Sequence, residues 1–154
     1  MAEERWVFVI KAQDKPGALT AAAGVFSNRG VSLETILGSG ITLAGTDGGR
    51  IVLSFRATEY KKDMLLRVLG RLSAVQKVNC YDYSSPELRA IAVVRVSGTD
   101  TAWEASDVQT EIVSTGEDSQ TILLTGITPA VERLIETLRE HNALLDVAMS
   151  VMAV

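Results

Sequence analysis

One order of elements occurs twice along this chain, and that repetition constrains the fold more than any single residue does. Trp6 to Ala12 is a short apolar run with the β-branched content of a buried strand. Asp14-Lys15-Pro16-Gly17 follows, with proline placed to open a helix. Leu19, Ala22, Ala23 and Phe26 then recur at the spacing of one helical face, and Gly30 is placed to end that helix. A second strand is expected from Val31 to about Leu43, loosened by Gly38 and Gly40. Thr46-Asp47-Gly48-Gly49 has hairpin-turn chemistry. Ile51, Leu53 and Phe55 alternate along a third strand. A second helix is expected over roughly Glu59 to Leu72, with Leu65, Val68, Leu69 and Leu72 on its apolar stripe, and a fourth strand from Val75 to Tyr83. The order is β-α-β-β-α-β, the split unit of ferredoxin-like folds.

Ser84-Ser85-Pro86-Glu87 is a polar break, and then the pattern restarts. Leu88, Ala90, Ala92, Val94 and Val96 alternate, and Gly98 to Ser106 has room for at most two helical turns. Val108–Ser114 and Thr121–Thr125 read as strands around a Gly116-Glu117-Asp118 turn. Thr128-Pro129 opens a helix with a threonine cap, and Val131, Leu134, Ile135 and Leu138 form its stripe. Asn142 is placed to stop it, and Leu145, Val147, Met149 and Val151 alternate along the last strand. The expected fold class is α+β: two tandem βαββαβ modules with antiparallel sheets, over residues 1–84 and 87–154. The second has a trimmed first helix.

Composition narrows the function classes. Hydrophobic residues make up 47% of the 154, enough for a real core, but aromatics are only 5%, so aliphatic side chains are expected to fill it. The formal charge of −4 speaks against nucleic acid and against anionic membranes as partners. Exposed aromatics on the first and third strands, which an RNA-binding unit of this topology requires, do not appear. Cys80 is the only cysteine and His141 the only histidine, which removes CxxC and His-His metal sites and weakens most acid–base mechanisms. Neither metal nor cofactor is expected. Met1 to Arg5 is not a basic leader, and the expectation is a soluble cytoplasmic protein without a targeting segment.

The first strand-to-helix turn is the informative spot. A helix N-terminus offers unpaired amides and a partial positive charge, where a small carboxylate fits. Gly17 leaves room for a ligand to approach them, and Asp14 supplies a carboxylate for an ammonium group. One turn thus presents an anion site beside a cation site, the pairing of a free α-amino acid. The plain alternative is that Asp14 caps the helix and Pro16-Gly17 is ordinary turn chemistry. The second module has Val96-Ser97-Gly98-Thr99-Asp100 in the same place, without Pro-Gly, and is expected to serve in dimerisation or partner docking.

The segment from Trp6 to Leu37, centred on DKPGALTAAAGVFSNRGVSLETI, resembles the ACT domain, a family of amino-acid-binding regulatory modules. The Asp-x-Pro-Gly turn opening a helix, then Phe-x-x-x-Gly-Val leading into the second strand, carries that likeness. With Glu87–Val96 and Leu124-Thr125-Gly126 through Val151, the whole chain resembles the small regulatory subunit of acetolactate synthase. That resemblance implies a non-catalytic protein that binds a branched-chain amino acid such as valine. It implies feedback transmitted to a separate thiamine-diphosphate-dependent catalytic large subunit. It also implies a homodimer whose ligand is held by Asp14, Pro16, Gly17 and Ala18 of one chain and Ser32 and Leu33 of the other. The family commonly has asparagine where this chain has Asp14 and Ser32. The alternative is a free-standing amino-acid sensor with no synthase partner.

His141 is expected to serve the helix C-terminus, Cys80 to be a small core residue, and Trp6 to pack. Trp103, in the short polar segment, is a candidate partner contact.

Overall fold

The computed structural model describes residues 2–40, 48–99 and 104–154. The expected strand end at Ile41–Leu43, Thr46 and Asp47 of the hairpin turn, and Trp103 lie outside the described residues, as does the middle of the Gly98–Ser106 segment. The chain divides into two compact units, one of Met1–Tyr83 with Ala153–Val154 and one of Ser84–Met152.

The first unit runs β1 (Glu4–Ala12), α1 (Ala18–Ser27), β2 (Leu33–Ser39), β3 (Gly49–Ala57), α2 (Glu59–Gly70) and β4 (Val75–Asp82). Its sheet has the order β2-β3-β1-β4, antiparallel throughout. Both helices cover one face. Phe8 and Ile10 of β1, Leu53 and Phe55 of β3, Ala22, Val25 and Phe26 of α1, and Leu65 and Leu69 of α2 form one buried cluster. Burying each such large side chain contributes about 1.5–3 kcal/mol. The chain's three phenylalanines all meet here, edge to face, with ring centroids 4.8, 4.9 and 6.1 Å apart. The low aromatic content is therefore concentrated in one core rather than replaced by aliphatics. The core of the second unit is aliphatic.

The buried stripe of α1 is Ala22, Val25 and Phe26; Leu19, expected on it, is 45% exposed. The helix also starts later than proline suggests. Pro16 and Gly17 form a turn closed by the Ala18 amide donating to Lys15 O at 3.2 Å, and Gly17 is the N-cap with φ 85° and ψ −10°. Proline before a glycine of positive φ is the signature of a type II turn.

The second unit runs β5 (Arg89–Ser97), β6 (Gln109–Thr115), β7 (Ser119–Gly126), α3 (Thr128–Glu140) and β8 (Leu144–Met152), with the matching order β6-β7-β5-β8. Among its described residues α3 is the only helix, so the face that α1 covers in the first unit is less protected here. Ile112 of β6, on the core side opposite Ile122, is 53% exposed.

Two expectations fail locally, for identifiable reasons. Thr128 does not cap α3. Ile127 is the N-cap, Pro129 sits inside the first turn, and Thr128 is fully buried. Leu145 does not face the core. The β5–β8 register shifts so that Val96 pairs with Leu144 while Arg95 pairs with Asp146, which turns Leu145 out to 55% exposure and puts Leu144 in its place. Asn142 ends α3 as expected, with φ 54°. His141 places Nδ1 2.7 Å from Thr137 O on the last turn.

The triad makes a direct stability test. Phe26→Ala should cost roughly 3–5 kcal/mol, as truncation of a buried aromatic does, read as a lowered urea midpoint. A cost under about 1 kcal/mol would mean the triad does not organise this core.

Candidate functional site

The β1–α1 turn and the facing end of β2 enclose a cleft of about 270 Å³, lined among others by Asp14, Lys15, Ala18, Leu19, Gly40 and Arg50. The end of β2 crowds against the turn and the start of β3 against the end of β2, and glycine makes both approaches possible. A Cβ at Gly40 would lie 2.8 Å from Asp14 Cγ, and one at Gly49 2.7 Å from Ser39 O. Gly40 thus admits the chain's own turn, whereas a Cβ at Gly38 would meet nothing within 4 Å.

Asp14 does not cap the helix. The N-cap is Gly17, and α1 has no side-chain capping bond. The Ala21 amide donates to Gly17 O at 2.9 Å, whereas the amides of Leu19 and Thr20 have no acceptor among the described residues. The Asp14 carboxylate is exposed and lies against Gly40. Among the described residues, the Leu19 and Thr20 amides and the Asp14 carboxylate thus stand without a partner beside one cleft. Arg50 and the Gly38–Gly40 stretch also line it, and sequence reasoning did not assign them to the site. The glycines were the available signal.

Not every expected residue comes together. Asp14 and Ala18 line the cleft, while Pro16 and Gly17 shape the turn beside it. Ser32 is exposed, and Leu33 packs on the core opposite Phe55, at the far end of β2 from Gly38. Within one chain neither lines the cleft. Gly17 also has a backbone role. Its φ of 85° disfavours any side chain, so a bulky substitution there would strain the turn as well as fill the site.

A second cleft, about 450 Å³, lies in the other unit between Arg89, Asp107, Gln109 and Thr125. Its charges are already engaged. Arg89 donates to Pro86 O and Leu88 O, and Asp107 accepts from Arg133 at 3.1 Å. Among the described residues no cluster of three His, Cys, Asp or Glu side chains could hold a metal, and no helix is long and apolar enough to cross a membrane.

No family model matches the sequence. The probable acetolactate synthase small subunit of Methanothermobacter thermautotrophicus is 24% identical over 137 residues, 84% of this chain and 80% of that one. The crystal structure of the acetolactate synthase small subunit from Thermotoga maritima superposes with a TM-score of 0.73, at 20% identity, over 99% of this chain and 97% of that one. The fold is that of an acetolactate synthase small subunit. The regulatory subunit of aspartate kinase from Thermus thermophilus, in its ligand-free form, gives a TM-score of 0.47 at 12% identity. The likeness first visible in the Asp-x-Pro-Gly turn thus extends over 84% of the chain in sequence and 99% of it in fold.

Cys80 packs against the first core, and burial pushes its thiol up from the usual range, against the opposing pull of the Lys62 ammonium. A raised pKa means less thiolate at neutral pH. Alkylation of Cys80 by iodoacetamide at about pH 8 should therefore be slower than that of a free cysteine and should speed up only on unfolding. Labelling of the folded chain at the free-thiol rate would contradict this.

Proposed function

We propose that this chain is a non-catalytic regulatory subunit of acetolactate synthase that senses a free amino acid at the β1–α1 turn. The observation that carries the reading is likeness to acetolactate synthase small subunits, in fold over 99% of the chain and in sequence over 84% of it, coinciding with a cleft whose Asp14 carboxylate and first helix amides at Leu19 and Thr20 have no partner among the described residues. The ligand carboxylate would accept from the amides at the start of α1, and its ammonium would donate to Asp14. Leu19 and Ile51 supply an apolar wall suited to a branched aliphatic side chain such as that of valine.

The site as read is completed by a second copy. Leu19 and Ile36, 45% and 51% exposed on α1 and on the edge strand β2, are apolar groups that association would cover. A neighbouring chain would bring its own Ser32 and Leu33 to the cleft, giving a homodimer with ligand at the interface. The regulatory signal would then pass to a separate thiamine-diphosphate-dependent large subunit in the cytoplasm.

A thermal-shift screen of the twenty amino acids, followed by calorimetry on the best, tests the ligand. Asp14→Ala removes a charge-assisted hydrogen bond worth roughly 1.5–3 kcal/mol, so affinity should fall about tenfold to over a hundredfold while His141→Ala binds as wild type. Equal affinity in Asp14→Ala would move the site elsewhere. Light scattering at micromolar concentration should give at least a dimer, and a monomer would remove the shared site. Co-purification with the large subunit supports the synthase reading. Its failure, with ligand binding intact, leaves a free-standing sensor.

A further inference from the structure

Asp14 is the middle residue of a tight turn. The Lys15 amide donates to Gln13 O at 3.0 Å, which closes a γ-turn over Asp14, and the Gln13 amide donates to Ala74 O at 2.8 Å. The Ala18 amide then donates to Lys15 O at 3.2 Å. The backbone on both sides of Asp14 is pinned, and the direction of its Cα–Cβ bond with it. What remains is rotation about that bond, among three staggered wells.

Gly40 bears on that rotation. A Cβ there would lie 2.8 Å from both Cγ and Oδ1 of Asp14, well inside the ordinary contact distance of about 3.5–4.0 Å. The three atoms nearest to it all belong to this one carboxylate. Gly40 has no positive φ, so its own backbone does not call for glycine. The strand end is also held from the other side. Ser39 is opposite Arg50 of β3, and Gly49 stands so close that a Cβ on it would lie 2.7 Å from Ser39 O. Of the two partners in the contact, the exposed Asp14 side chain is the one that can move without disturbing the sheet.

We propose that Gly40 is a positioning residue of the amino-acid site: its missing side chain admits the rotamer in which Asp14 lines the cleft, and so fixes where a ligand's ammonium group is received. This rests on the reading of Asp14 as the ammonium's partner. A methyl at position 40 would exclude the present rotamer, and the next staggered well swings Cγ by roughly 2.5 Å. A charge-assisted hydrogen bond of about 2.7–2.9 Å does not survive that displacement. Gly40 thus acts through Asp14, and its effect on binding should vanish once the Asp14 carboxylate is gone.

A double-mutant cycle on the full chain tests this, with calorimetry against L-valine, L-leucine and L-isoleucine in turn. Gly40→Ala should lose about tenfold or more in affinity. In the Asp14→Ala background the same substitution should change affinity by less than about twofold. The Tm of Gly40→Ala without ligand should match the wild type, because only an exposed side chain moves. Equal losses in both backgrounds would overturn the proposal, since the methyl would then block the ligand itself or deform the strand end. A Tm lowered by about 4 °C or more would overturn it by making Gly40 a residue of the fold. Wild-type binding by Gly40→Ala, with weakened binding by Asp14→Ala, overturns it and leaves the reading of the site standing. Wild-type binding by Asp14→Ala, or no binding of any of the three amino acids by the wild type, overturns both.

Discussion

The edge-to-face contact of Phe8, Phe26 and Phe55 is the constraint on which the first unit depends. These rings belong to β1, α1 and β3, so one cluster ties the first helix to the two central strands. Such pairs contribute about 0.5–1.5 kcal/mol beyond their buried area. Fixing α1 against the sheet from its C-terminal half leaves its N-terminal half to project past the strand ends. There Leu19 is exposed, and the amides of Leu19 and Thr20 have no acceptor among the described residues. The core thus presents the turn without occupying it.

The turn itself is fixed by backbone preference. Proline sets φ at one central position, and glycine takes the left-handed conformation at the next. The amides at the start of α1 are therefore fixed in place by the turn. A site built this way loses little chain entropy on binding. The second unit keeps the sheet order of the first but has neither Pro-Gly nor a helix at the corresponding place among its described residues. It retains the scaffold and lacks the Pro-Gly turn.

Much of this architecture is legible in the sequence because hydrophobic periodicity reports the buried face directly. The α3 stripe of Val131, Leu134, Ile135 and Leu138 is buried as its spacing requires. The alternation of β5 from Ala90 to Val96 is equally faithful. What was not legible depends on single-residue geometry. A register shift exchanged Leu144 for Leu145 without changing the apolar pattern around them. Thr128 resembles a cap in sequence and lies one position inside the helix. The candidate cleft was half legible. Asp14 and the helix start follow from local turn chemistry, but Gly40 and Arg50 reach it through strand pairing, which one-dimensional spacing does not encode.

Trp6 carries a consequence of another kind. It sits at the edge of the first core, its Nε1–H donates to Ala57 O at 3.1 Å, and the Lys62 ammonium stands 4.6 Å from its ring. Indole emission responds to both a nearby cation and a hydrogen-bonded ring nitrogen. The chain has one other tryptophan, Trp103, and it belongs to the second half. Replacing Trp103 with phenylalanine would leave Trp6 as the one indole of the full-length chain, so that the melting of the first core could be followed by itself.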